Sequence, residues 1–161
     1  MQNRNSLLKS IGKVEWGVIF LNVKGLIEQL ERKYQTRNPF ELAKALGISV
    51  IFEDLGTING YYNKQFRIKQ IHINHNLSEH LQLLACAHEL GHALLHPDSN
   101  TPFLRSCTYF SIDRMELEAN KFAIDLLLSD EILTEYQEYT TEQLARITGY
   151  SEELIRLRLK Y

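Results

Sequence analysis

The sequence predicts a small α+β fold. Helical and strand signals fall in separate blocks, in the order helix, helix, short sheet, helix, loop, helix, rather than in alternating β-α-β units. The 161 residues are 44% hydrophobic and 24% charged, the balance of a globular chain with room for one core. The tail after the last long helix carries only two short helical patterns. The expected division is therefore a main domain over residues 1–135 and a helical tail over 136–161.

Each element has its own signal. Residues 1–21 give no clean pattern. Val23, Leu26, Ile27, Leu30 and Tyr34 then recur at helical spacing. Asn38-Pro39-Phe40-Glu41 marks a second helix start: Asn38 caps, Pro39 suits the first turn and Glu41 can close a capping box. Gly47 ends that helix, and Ile48 to Phe52 is short and rich in β-formers. Tyr61-Tyr62 and Phe66 to Ile73 read as strands joined at Asn63-Lys64-Gln65, which predicts a hairpin and a short antiparallel sheet.

Asn76-Leu77-Ser78-Glu79 has a capping-box pattern and opens an apolar helical run, Leu81 to His96, that Pro97 stops. Pro97 to Cys107 reads as loop, long enough to shape a site. Ser111 or Asp113 starts the next helix, with Met115, Ala119, Phe122, Ala123 and Leu126 on its apolar side. The tail helices run from about Thr140 to Gly149 and from Ser151 to the end.

Bulk properties exclude several classes. A net charge of −2 exerts no general attraction on nucleic acid or anionic membrane. Two cysteines, Cys86 and Cys107, make no disulfide framework and fit a reducing compartment. The apolar stretch Trp16 to Leu21 is too short for a signal-peptide core or a membrane span. The expectation is a soluble, cytoplasmic protein with no membrane partner.

The chemistry lies in His88-Glu89-Leu90-Gly91-His92. Residues four apart on a helix stand one turn above each other, so both imidazoles can reach one metal ion. Glu89 falls on the neighbouring stripe, where a carboxylate can take a proton from water. This is the donor pattern of a zinc peptidase, with Zn2+ as cofactor. The pattern also arises by chance. Its place on a capped apolar helix, with an acidic helix downstream, favours metal.

A catalytic zinc needs a third protein ligand. His96 continues the four-residue series, but eight residues rise ~12 Å along a helix, too far for an ion held by His88 and His92. It reads as a helix-end residue facing the terminal carbonyls. Glu116 and Glu118 lie on the acidic helix. Glu116 shares a face with Asn120, so it can bind metal while Asn120 hydrogen-bonds a ligand histidine. Glu118 projects about 200° away. A solvated pair of carboxylates, with Glu116 completing a cap begun by Asp113, explains the spacing equally well. Cys86 reads as a packed thiol and Cys107 as a free one.

Ala87 to Pro97, followed by Glu116-Leu117-Glu118-Ala119-Asn120-Lys121-Phe122-Ala123, resembles the ImmA/IrrE family of zinc metallopeptidases. Ile71-His72-Ile73-Asn74 resembles it too, and the likeness runs from about Val23 onward. The resemblance implies a zincin-like fold and a gluzincin site: His88, His92 and Glu116 on zinc, Glu89 as catalytic base, Asn120 behind a histidine. It implies a protein substrate, a helix-turn-helix repressor whose cleavage derepresses phage, mobile-element or stress genes. Asn120 stands where related peptidases often have Asp, a weaker partner for a histidine N–H.

Tyr61, Tyr62 and Tyr109 are candidate oxyanion donors, and the hairpin over 57–73 offers an edge for a substrate strand. The competing function is a non-catalytic, zinc-stabilised regulator that binds DNA or a repressor through its tail. Leu144 to Leu159 has a helix-turn-helix look, with Gly149 at the turn and Arg156, Arg158 and Lys160 following. Glu142, Glu152 and Glu153 nearly cancel those charges, so direct nucleic-acid binding is not expected, and a small helical pair packed on the core is the favoured reading of the tail.

Overall fold

The computed structural model describes residues 16–98 and 109–160. Among them are seven helices and one three-stranded sheet: α1 (Trp16–Tyr34), α2 (Pro39–Ala45), β1 (Ser49–Glu53), β2 (Gly60–Gln65), β3 (Ile68–Asn74), α3 (Glu79–Leu95), α4 (Tyr109–Leu127), α5 (Asp130–Glu135), α6 (Thr141–Thr148) and α7 (Glu152–Lys160). The α+β class holds. Most of the expected loop, Cys107 included, lies outside the described residues.

The sheet is mixed rather than antiparallel. Its order is β1-β3-β2, with β2 antiparallel to β3, as the hairpin requires, and β1 parallel to β3. Burial gives the reason. Ile71 and Ile73 of β3 are fully buried, so the most buried strand takes the centre. The polar Asn63, Lys64 and Gln65 of β2 suit an edge. Those three residues are strand, not turn; the turn is Phe66-Arg67, where Phe66 takes a φ of 56° and is 97% exposed.

Helix starts also move. The first helix is already formed at Trp16, ahead of the clear periodicity, and α4 at Tyr109, ahead of Ser111 and Asp113. The site helix α3 is capped by Ser78, not Asn76. Asn38 caps α2 as expected, but the Glu41 carboxylate turns to the Thr36 hydroxyl instead of closing a box. Helix α5, capped by Ser129 with Asp130 and Glu131 in its first turn, is an element the sequence reading does not include.

The main core joins Val23, Ile27 and Leu30 of α1 and Leu42 and Ala43 of α2 to the inward face of β3 and to α3 and α4. A second cluster, Ile124, Leu128, Leu144 and Ile155, seats α6 and α7 on the far end of α4. Helices α3 and α4 cross closely at Gly91. A Cβ there would stand 3.1 Å from the Cα and 3.2 Å from the carbonyl oxygen of Ala119. Glycine at this one position in the motif is what lets two backbones approach.

Candidate metal centre

That close crossing brings the two halves of the site together. Helix α3 supplies His88 and His92, and α4 supplies Glu116 and Asn120. The two imidazole Nε2 atoms lie 3.1 Å apart. The Glu116 carboxylate straddles them, one oxygen 3.3 Å from each ring nitrogen. Ligand atoms bound at 2.0–2.1 Å around a tetrahedral zinc stand about 3.3–3.4 Å apart. The residues present therefore fit such an ion, and these three form a group able to hold a metal.

Behind the cluster, His88 Nδ1 meets Asn120 Oδ1 at 2.9 Å. An amide oxygen can only accept, which assigns the proton to Nδ1 and leaves the Nε2 lone pair pointing at the cluster. His92 is wholly buried, and its Nδ1 has no partner among the described residues.

The electrostatics agree with a cation site. The two histidines hold the Glu116 carboxyl far below the ordinary carboxylate range. Burial lowers the His92 pKa and outweighs the neighbouring Glu116. Burial also pulls on His88, but Glu116 and Glu89 overcome it and raise that ring. The anionic carboxylate is thus available to a metal throughout the neutral range.

Glu89 is 6% exposed and lies against β2. The chain enters β2 at Gly60, where a Cβ would meet the His72 carbonyl oxygen at 2.8 Å and lie 3.5 Å from Glu89 Cγ. Edge strand and buried glutamate are thereby held side by side. A cleft of about 330 Å³ opens from His88, Glu89 and Asn120 along the α3 stripe Leu81, Leu84 and Ala85, bounded by the 57–60 loop and by Leu154 of α7.

The other sequence candidates fall away from the cluster. Glu118 projects to the opposite side, 3.1 Å from His96 Nε2 and 2.8 Å from Arg114 Nε. Burial raises its carboxyl, yet His96 and Arg114 outweigh that and hold it low. His96 is thus structural as expected, but its partner is a carboxylate on α4, not the carbonyls at its own helix end. Tyr62 is buried and donates to the Pro97 carbonyl oxygen at 3.0 Å; Tyr61 stacks on His72 with centroids 4.3 Å apart. Neither lines the cleft. The Tyr109 side chain lies outside the described residues. Cys86 is buried, and desolvation pushes its thiol up to about 12.

Three arginines of the tail lie beside carboxylates. Arg146 pairs with Glu142 and Arg156 with Glu152, while Arg158 binds Asp130 and lies near Asp125.

Sequence reasoning missed three contributors. Gly91 was an unremarked letter inside the motif. Leu154 sits in the tail helices, whose sequence gives them no part in the site. Asn74 closes Ile71-His72-Ile73-Asn74, and its role emerges only in three dimensions. Its amide donates to the carbonyl oxygens of Gly56 and Ile58 at 2.9 and 3.0 Å, and its Oδ1 accepts from the Asn76 N–H at 3.0 Å. Asn74 thus ties the loop that walls the cleft to the approach of α3.

An α+β fold holding this cluster is compatible with a metallopeptidase. The chain belongs to the peptidase M78 family, that of the IrrE N-terminal-like domain, whose model matches residues 43–160. It is 43% identical over 139 residues to immunity region protein 2 of Bacillus phage phi105, covering 84% of this chain and 88% of the relative. It is 34% identical over 135 residues to metallopeptidase ImmA of Bacillus subtilis strain 168, covering 83% and 75%.

Proposed function

We propose that this chain is a zinc-dependent endopeptidase of gluzincin type that cuts a helix-turn-helix transcriptional repressor in the cytoplasm. The observation that carries the metal assignment is the triangle of His88, His92 and Glu116, with edges of 3.1–3.3 Å. Two imidazoles and one carboxylate leave a fourth tetrahedral position open, and nitrogen-rich sets of this kind suit zinc. Bound zinc would supply a Lewis acid for the scissile carbonyl and acidify water.

The protein's own groups do the rest. Glu89 takes a proton from the attacking water and passes it to the leaving amine. Asn120 holds the His88 ring in the tautomer that ligates. Strand β2 pairs with β3 along one edge, and its other edge can accept an extended substrate as an added strand beside Glu89. The repressor assignment rests on the ImmA/IrrE resemblance and on a relative named for a phage immunity region. No described helix is long and apolar enough to cross a membrane.

The test is incubation of the zinc-loaded protein with the repressor encoded beside its gene, followed by mass spectrometry. Glu89→Gln is expected to keep its zinc and lose cleavage. Full activity of that variant would overturn the mechanism; an intact repressor under zinc would overturn the substrate.

A further inference from the structure

The tail completes the cleft. Helix α7 is anchored to the core at two points. Ile155 is fully buried against Ile124, Leu128 and Leu144. Tyr150 stacks on His80 of α3 with centroids 4.6 Å apart, beside Gly149, where a Cβ would meet His80 Nε2 at 3.0 Å. Leu154 lies between those anchors along the chain and lines the cleft together with the 57–60 loop.

Resting on the peptidase reading above, we propose that the far end of this cleft is a specificity pocket for an apolar substrate side chain, with Leu154 as its specificity-determining residue. Leu81, Leu84, Ala85 and His88 follow i, i+3, i+4, i+7 spacing, so they form one stripe that leads to the metal cluster. Seven residues span ~10 Å of helix, the length of about three extended substrate residues at ~3.3 Å each. A peptide with its scissile carbonyl at the cluster therefore sets a neighbouring side chain, within two residues of the cut, against this stripe.

The wall there is Ile58, Leu81, Leu84, Ala85 and Leu154, with the uncharged Thr57 and Asn59 beside Ile58, and the ionisable groups lining the cleft, His88 and Glu89, both lie at the metal end. Ile58 and Leu81 are 38% and 40% exposed, large apolar groups open to an incoming side chain. Leucine-, methionine- or phenylalanine-sized groups fit this chemistry. Charged ones would lose their hydration with no partner.

The test uses metal-anchored probes on the full chain loaded with cobalt in place of zinc, reading the metal's visible spectrum. Acetohydroxamate reports the metal alone; 4-methylpentanohydroxamate adds an isobutyl group at the reach of the pocket. The branched probe is expected to bind at least about tenfold tighter, the scale of discrimination by a small apolar pocket. Leu154→Asn and, on α3, Leu81→Asn at an exposed position should each cut that gain to less than about threefold, leaving acetohydroxamate affinity and metal content unchanged. The proposal is overturned if the wild type shows no gain, or if the gain survives in both variants. If acetohydroxamate itself leaves the cobalt spectrum unmoved, the metal reading fails, and the pocket with it.

Discussion

Replacing Gly91 by alanine separates metal binding from folding. At that position a Cβ would stand 3.1 and 3.2 Å from backbone atoms of Ala119 and 3.2 Å from the Phe122 ring. Carbon atoms in ordinary contact lie about 3.5–4.0 Å apart, so α3 and α4 must separate by about 0.5 Å. Backbone cannot swing aside as a side-chain tip can. Overpacking of this kind costs about 1–3 kcal/mol. Alanine in a helix interior returns about 1 kcal/mol relative to glycine, so the net loss of stability is modest, about 0–2 kcal/mol.

The metal site has less tolerance. His88 and His92 sit on one helix and Glu116 on the other, with contacts of 3.3 Å. Metal–ligand distances hold within about 0.2 Å, so a shift of about 0.5 Å strains the third ligand. Zinc affinity should fall about 10–100-fold, the range seen when supporting geometry is lost. Competition against a chromophoric chelator measures the affinity, and thermal unfolding of the metal-free protein measures the stability. Gly91→Ala with wild-type zinc affinity would refute the claim that the close crossing assembles the site.

Three further outcomes are expected. Asn120→Ala should lower zinc affinity about 10–100-fold by releasing His88, and Asn120→Asp should raise it by charging the same hydrogen bond; both are read by the same chelator competition. Asn74→Asp keeps the shape but removes the two N–H donors to Gly56 and Ile58. It should raise KM for the repressor several-fold while zinc content stays constant, and an unchanged KM would deny Asn74 its positioning role. Lys24 and Arg158 hold the Asp130 carboxyl down at about 2. A depressed carboxylate contributes stability above its unfolded value of about 3.9, lost as pH falls through the folded one. The group is half exposed, so solvent screening limits the contribution to about 1 kcal/mol. Asp130→Asn should accordingly lower Tm at pH 7 and narrow its gap from wild type near pH 2.

Much of this was legible because helical periodicity is local. His88, Glu89 and His92 share one helix, so their spacing alone set their relative directions. The caps at Asn38 and Thr140 and the stop at Pro97 are equally local, a donor or acceptor within a few residues of its partner. The hairpin turn was misplaced because Asn63-Lys64-Gln65 has turn composition, yet an edge strand tolerates polar residues. The sheet was misjudged because strand order depends on which strand buries most, a property of the whole core.

By itself, then, the sequence determined the α+β class, the site helix with its paired histidines, and the face shared by Glu116 and Asn120. Tertiary structure decided what depends on distance between elements. It set Glu116, and not Glu118, beside the His88–His92 pair. It gave His96 a carboxylate partner, made Asn74 a brace between loop and helix, and turned a tail residue, Leu154, into a wall of the cleft. Spacing along a chain fixes direction within one helix; only packing fixes which neighbour that direction meets.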